Sequence, residues 1–210
     1  MKKKSGLLSV VIAAAVIALA FVGYNVYRHP AMFLNLSDGS LGADEVEALR
    51  AQIAAQEEKK VLVAYFSYSG NTQRAAEALR EQTGADLFEI SLQEAYSNVY
   101  MQSNSQIRSK ARPALSKTVE NMEEYDIVFI GYPVWWHATP APVNSFLESY
   151  DLTGKLAIPF CTSGGSDIEE TMPTFLDSCE GIAVYGARRI SSPVQIAGWL
   201  EELNLNLGNV

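Results

Sequence analysis

Cysteine and histidine are scarce, with two of each in 210 residues. Cys161 and Cys179 are too few for a disulfide framework, and together with His29 and His137 they show no metal-ligand spacing. Both thiols are expected as small buried side chains. No Ser-His-Asp or Cys-His grouping offers a base for nucleophilic catalysis, and His29 stands beside the apolar N-terminal segment. Positive charge is short as well: 16 Lys and Arg stand against 24 Asp and Glu, a formal net charge of −8. That balance argues against nucleic acid, whose phosphates call for clustered Lys and Arg. It points instead to basic proteins or small molecules. The chain has no Gly-Lys-Ser/Thr ending of a Walker loop and no G-x-G-x-x-G dinucleotide fingerprint. Internal repeats and low-complexity tracts are missing too.

What is present begins with an appendage. The composition, 48% hydrophobic, supports one substantial core, and the length fits one domain with an extension. Lys2, Lys3 and Lys4 precede a run with no charge until Arg28, and its apolar part, residues 7–22, is about a membrane width as a helix. Ala18, Leu19 and Ala20 form an A-x-A cleavage site, as in a signal peptide. The run also continues past them to Tyr24 and Tyr27, as in an uncleaved anchor with interfacial aromatics. Both readings stand for residues 1–28. No cysteine near Ala20 offers a site for lipid attachment. The leading lysines place the N-terminus in the cytoplasm and the rest outside. Residues 29–60 read as a linker whose second half, 43–60, has helical spacing at Val46, Leu49 and Ile53 and many charges. That half suits a juxtamembrane helix or a solvated spacer.

From residue 61 to 210 the chain alternates strand-like and helix-like segments. Strands are expected at 61–66, 86–90, 126–131, 156–161 and 182–188, and helices at 72–83, 116–123, 140–149, 167–178 and 193–203. This alternation implies βαβ units, an α/β fold with a mostly parallel sheet and helices on both faces. "DIVFIGYP" and "LAIPFCTS" are nearly continuous apolar runs, as central parallel strands should be. The connection 91–115 is polar and long enough to be functional or partly helical.

Ligands in such sheets bind at the carboxyl ends of the strands, and three polar clusters fall there. The first, "SYSGNT", follows the first strand and opens a helix. Its donors are neutral: the hydroxyls of Ser67, Ser69 and Thr72, the Asn71 amide and backbone N–H groups. Gly70 permits the tight turn, so the loop reads as a phosphate nest, or more plainly as a capped helix start. The second, "YPVWWHATPAP", carries Tyr132, Trp135 and Trp136 where solvent begins, which calls for packing or for a planar ligand. His137 sits on its rim or donates to a ligand. The third, "TSGGS", has two glycines that open the backbone N–H groups of residues 163–166 to a ligand edge, or make an ordinary turn. Phosphate nest, aromatic slab and glycine loop at one sheet edge together describe FMN.

"VLVAYFSYSGNT", "ARPAL", "DIVFIGYPVWW" and "PFCTSGGS" resemble the flavodoxin-like family, over about residues 61–203. The resemblance implies a three-layer sandwich whose five-stranded parallel sheet has the order 2-1-3-4-5, with noncovalent FMN. It carries the phosphate onto Ser67, Ser69, Gly70, Asn71 and Thr72, with Tyr68 between them. The isoalloxazine falls to Pro133, Val134, Trp135 and Trp136, with His137 beside them, and its pyrimidine edge to Thr162, Ser163, Gly164 and Gly165. Two positions depart from the pattern. His137 stands where a small residue is common, and Asp167, where glycine is common, adds negative charge near the flavin. The expected function is an FMN redox protein of the flavodoxin type outside the cytoplasmic membrane, exchanging electrons with partner proteins through basic docking faces. The acidic surface disfavours a negatively charged reduced ring and steers such partners. The alternative is an NAD(P)H-dependent FMN reductase of quinones or other small acceptors, its pocket shaped by His137 with Tyr132 or Tyr100. A third reading keeps the fold without flavin.

Overall fold

The computed structural model describes residues 2–207; Met1 and the last three residues of the expected 61–210 unit lie outside the described residues. Alternation of apolar runs with amphipathic segments produces a parallel sheet of β1 (Val61–Tyr65), β2 (Asp86–Glu89), β3 (Ile127–Pro133), β4 (Leu156–Thr162), β5 (Ala183–Val184) and β6 (Arg188–Arg189). The order is β2-β1-β3-β4-β5, with β6 also on β4. Register is fixed best at the centre, where β3 and β4 pair from Ile127 with Leu156 through Pro133 with Thr162. Both central strands are buried along their length except at these last residues. Gly131 in β3 has no room for a side chain, since a Cβ there would meet Phe160 Cζ at 2.2 Å.

Helices cover the two faces. On one, α3 (Asn71–Thr83) and α7 (Gln195–Leu203) pack with α2 (Ala43–Ala54) over Val63, Phe129 and Ile158. On the other, α5 (Ala141–Glu148) and α6 (Met172–Leu176) cover Leu62, Val128 and Ile130. This is the α/β flavodoxin-like sandwich, with an apolar helix, α1 (Lys2–Arg28), ahead of it. Cys161 and Cys179 are free and buried, as expected.

Three expected elements differ. No α-helix forms over 116–123. Leu115 bridges to Leu92, the Val119 N–H donates to the Tyr150 hydroxyl at 2.7 Å, and Asn121 is left-handed, which stops a helix. Only a 3₁₀ turn at Met122–Glu124 remains. The helix of this connection lies earlier, as α4 (Val99–Arg108), capped by the Asn98 side chain accepting from the Met101 N–H at 3.1 Å. The strand expected over 182–188 is cut in two at left-handed Gly186, and the helix expected over 167–178 divides into a 3₁₀ turn and α6.

Residues 43–54 form a helix, and it lies on the domain: Val46 and Ile53 enter the core beside Val61 and Leu156. Its spacing at 46, 49 and 53 is therefore a packing face. The strap before it, residues 30–41, is tied across the domain. Gly181 donates its N–H to Gly39 O at 2.8 Å and Leu41 its N–H to Ile182 O at 3.0 Å. The Asp177 carboxylate accepts from the Ser37 N–H at 2.9 Å and meets Lys110 Nζ at 2.7 Å, with its own side chain only 4% exposed.

Burial alone would raise the Asp177 carboxyl, but the Lys110 ammonium and the Ser37 N–H outweigh it and hold the pKa below the usual carboxylate range. A depressed folded value gives stability that is complete above the ordinary value of about 3.9 and is lost as pH falls through the folded one. Asp177→Asn should cost roughly 1.5–3 kcal/mol at neutral pH, towards the lower end because Lys110 is 38% exposed. Hydrogen exchange should accelerate at the Ser37, Leu41 and Gly181 amides first. Equal stability of the two proteins at pH 7 would refute the strap's dependence on this carboxylate.

Candidate functional site

The site is built at the carboxyl edge of β1, β3 and β4. After β1 the chain leaves the core at half-buried Ser67, turns through left-handed Gly70 and enters α3 at Asn71. Ser67 Oγ accepts from the Gln73 N–H at 3.3 Å, which draws the loop over the helix start. Among the described residues, the amides of Ser69, Gly70, Asn71 and Thr72 find no backbone acceptor. They are the free donors of a helix N-terminus. Thr72 is buried and its hydroxyl meets that of Thr162 at 2.8 Å, joining the first loop to the third.

The loop is not free of cations, contrary to the sequence expectation. Arg74, one turn into α3, folds back so that its guanidinium donates to the Asn71 side-chain oxygen and borders Gly70. It lines a cleft of about 380 Å³ with Ser69, Asn71, Pro133, Val134, Thr162, Ser163 and Gly164. Ile190, Ser191, Ser192 and Pro193 form the far wall. The third loop is partly self-satisfied: Ser163 Oγ accepts from the N–H groups of Gly165 at 3.1 Å and Ser166 at 2.8 Å. Those two amides are not open to a ligand edge as expected. Neither Gly164 nor Gly165 is left-handed, and a Cβ on either would meet nothing within 4 Å. The fold itself does not require glycine there, and the volume the missing side chains leave is cleft.

The second loop turns tightly. Trp135 and Ala138 exchange backbone hydrogen bonds of 3.2 and 2.9 Å, with Trp136 and His137 at φ 54° and 57° between them. Two consecutive left-handed non-glycine residues make a type I′ turn from side chains that disfavour it, a strain of roughly 1–2 kcal/mol per residue. Packing holds it in place. The Trp135 ring stands edge-on to Phe66 at 5.2 Å, Tyr68 at 5.8 Å and Tyr96 at 5.7 Å. Trp136 donates its indole N–H to Ser103 Oγ at 2.9 Å and packs between Tyr27 and Tyr100. The loop thus faces a second cleft, of about 330 Å³, lined by Tyr68, Val134, Trp135, Trp136 and His137 with Arg28, Tyr100 and Ser166. Val134 is the wall common to both clefts.

His137 is no bare rim residue. Its ring stacks on His29 at 4.1 Å, Nε2 accepts from Arg28 Nε at 3.2 Å, and Nδ1 bonds Glu170. That hydrogen bond holds the Glu170 carboxyl below its usual range. The charge of Asp167 is offset by Arg189, whose Nε lies 3.2 Å away. Tyr132, expected at the pocket, is fully buried on the opposite side. Its ring stacks on Phe175, its hydroxyl bonds Thr171 at 3.0 Å, and burial pushes its pKa up. Tyr100, by contrast, lines the second cleft.

Of the expected set, Ser69, Asn71, Pro133, Val134, Thr162, Ser163 and Gly164 meet in the first cleft, and Tyr68, Val134, Trp135, Trp136 and His137 in the second. Ser67, Gly70, Thr72 and Gly165 shape the loops without lining either. Sequence reasoning missed Arg74, Arg28 and residues 190–193. Arg74 could have been found from its helical spacing to Asn71, and 190–193 because "ISSP" repeats a strand ending in small polar residues. Nothing in the sequence marked Arg28.

A parallel sheet in this order, with a helix N-terminus after the first strand and clefts at the carboxyl edge, defines the flavodoxin-like fold. The sequence model of the flavodoxin family matches residues 60–203, and the chain belongs to this family. The chain is similar to a crystal structure from Bacteroides eggerthii described as that of a flavoprotein, with 36% identity over 70% of this chain and 98% of that one, TM-score 0.64. A second such protein, from Bacteroides uniformis, is 34% identical over 69% and 99%, TM-score 0.63. A flavoprotein of Lactobacillus acidophilus in complex with FMN is 25% identical over 68% and 99%, TM-score 0.57. No curated protein matches the chain.

The hydroxyl contact between Thr72 and Thr162 should be a structural tie. Thr162→Val should lower stability by about 0.5–1.5 kcal/mol in thermal or urea unfolding. It should also speed exchange of the Gln73 and Arg74 amides, which are bonded to Ser67 Oγ and Gly70 O. A neutral substitution would remove the tie from the account.

Proposed function

We propose that the chain is an FMN redox protein of the flavodoxin type, held at the outer face of the cytoplasmic membrane, that carries electrons between partner proteins. The observation that carries the cofactor reading is the donor set at the start of α3. Four amides without backbone acceptors, the hydroxyls of Ser67 and Ser69 and the Arg74 guanidinium converge on one loop. Unpaired amides at a helix N-terminus with a guanidinium suit a phosphate dianion. Pro133, Val134, Thr162, Ser163 and Gly164 continue the same cleft and would hold the ribityl chain and the ring, with the open space over Gly164 for close approach. FMN, when bound, supplies the electron transfer, and the protein binds, orients and shields it. The FMN complex of the Lactobacillus acidophilus relative supports the same reading.

The uninterrupted apolar helix α1, led in sequence by three lysines, supports an anchor with a cytoplasmic N-terminus. One observation favours the reductase reading: the second cleft, separated from the first by Val134, has room for a small acceptor. Anaerobic mixing with NADPH distinguishes the two. A carrier stays oxidised with NADPH while dithionite reduces it, whereas a reductase bleaches with NADPH alone.

The phosphate assignment is tested by Arg74→Gln and Ser69→Ala. Each removes a charge-assisted hydrogen bond of roughly 1.5–3 kcal/mol, which is at least about tenfold in FMN affinity. Riboflavin, which lacks the phosphate, should bind both variants as it binds the parent. Equal losses for the two ligands in calorimetric titration would overturn the assignment.

A further inference from the structure

We propose that the face of the domain around the exit of α1 is seated in the headgroup region of the bilayer, so that the aromatic cleft opens onto lipid. The proposal rests on the reading of α1 as a retained membrane anchor, and it concerns how the domain sits on that anchor.

The first observation is that the domain does not hang from α1 by a flexible tether. The last carbonyls of a helix have no intrahelical partner, and two of those of α1 are satisfied by the domain. Asn104 Nδ2 donates to Tyr27 O at 2.8 Å, and an Arg108 guanidinium N–H donates to Val26 O at 2.8 Å. Arg108 also places positive charge at the negative end of the helix dipole. The Tyr27 ring meets Trp136 edge-on at 5.2 Å, and Arg28 and His29 engage His137. The strap that follows is tied down through Ser37 and Asp177. The level at which α1 leaves the membrane therefore sets the level of α4 and the second loop.

The second observation is where apolar side chains are left exposed. The segment Val10–Arg28 has a mean hydropathy of 2.2, and none of its residues is fully buried by the domain. Outside α1, six large hydrophobic side chains are exposed among the described residues: Met32, Phe33, Tyr68, Tyr100, Met101 and Val194. Five of the six border the helix exit or the cleft beside it. Met32 and Phe33 sit in the turn closed by the Met32 N–H on His29 O at 3.1 Å, directly after α1. Tyr100 lies across Trp136 from Tyr27, with ring centroids at 6.0 Å, and Met101 is its neighbour at the start of α4. Tyr68 lines the cleft itself. A collar of this kind, directly following an apolar helix in the chain and bearing Tyr24, Tyr27, Tyr100 and Trp136, matches the aromatic belt of a membrane interface.

Charge agrees with that placement. In a chain of net charge −8, the collar carries Arg28 and Arg108, and the Glu170 carboxylate beside it is bonded to the His137 ring. Guanidinium groups at headgroup depth suit anionic lipid. Lipid is thus the occupant that covers this face, and whatever enters the cleft reaches it along the membrane surface.

The test uses the full chain in nanodiscs of phosphatidylcholine and phosphatidylglycerol. A nitroxide is attached to one introduced cysteine at a time: Phe33→Cys and Met101→Cys in the collar, Leu19→Cys in the span, and Glu81→Cys near the far end of α3. The native thiols do not compete, because both are fully buried and burial pushes them up to about 12. All four positions are exposed, so the substitutions leave the core intact. Electron paramagnetic resonance then compares collisions with oxygen, which partitions into lipid, and with a water-soluble nickel chelate. Positions 33 and 101 should favour oxygen, as 19 does, and 81 should favour the chelate. If 33 and 101 behave like 81 while 19 favours oxygen, the anchor stands and the seat is refuted. If 19 also favours the chelate, the anchor reading fails and the seat falls with it.

Discussion

Burial of parallel strands on both faces is the constraint from which the rest follows. β1, β3 and β4 are covered by helices on either side, so polar groups can gather only where those strands end. The amino end of α3 meets that edge with unpaired amides, and the loops after β3 and β4 close around it. Thr72, buried and bonded to Thr162, makes the first and third loops one rigid wall. The second loop is set by strain held in place by packing, its two left-handed residues kept by the contacts of Trp135, Trp136 and His137. Replacing any of these aromatic neighbours would release a turn that the local sequence does not favour.

The second organising feature is the continuity from α1 through the strap to α2. Residues 26–54 form one wrap that starts against α4 and the second loop, crosses Asp177 and ends with Val46 and Ile53 in the core. The site and the end of the apolar helix are thereby held in one body, with Arg28 serving as part of the second cleft. In this flavodoxin-like domain the cleft at the carboxyl edge and the end of α1 therefore lie on neighbouring faces.

Much of this could be read from the sequence because the signals were local. Continuous apolar runs marked the central strands, a polar turn marked the start of α3, and the sheet order came with the family resemblance. Failures came where tertiary contacts decide. Asn121 turns left-handed because Val119 is held by Tyr150, and no window around residues 116–123 reports that partner. Val46 and Ile53 looked like a stripe on a solvated helix because the strands they cover are distant in sequence. Tyr132 looked like part of the aromatic loop, yet alternation along β3 turns it inward onto Phe175. Arg74 was missed because the loop was read as a string of donors, although the helix after it returns a side chain to it. Arg28 belongs to the site only through a contact spanning 109 residues.

The central claim is that the start of α3 holds the phosphate of a flavin as a dianion, through oriented amides and Arg74. Phosphorus NMR of FMN bound to the full chain, followed between pH 5 and 8, tests it most directly. Free phosphate monoesters titrate near a pKa of about 6, whereas an anion held by amides and a guanidinium has its charged form favoured. The account predicts a bound resonance whose shift stays constant across that range while free FMN moves. A bound resonance that titrates like free FMN would mean the phosphate lies in solvent, and the site at the carboxyl edge of β1 would have to be assigned to something else.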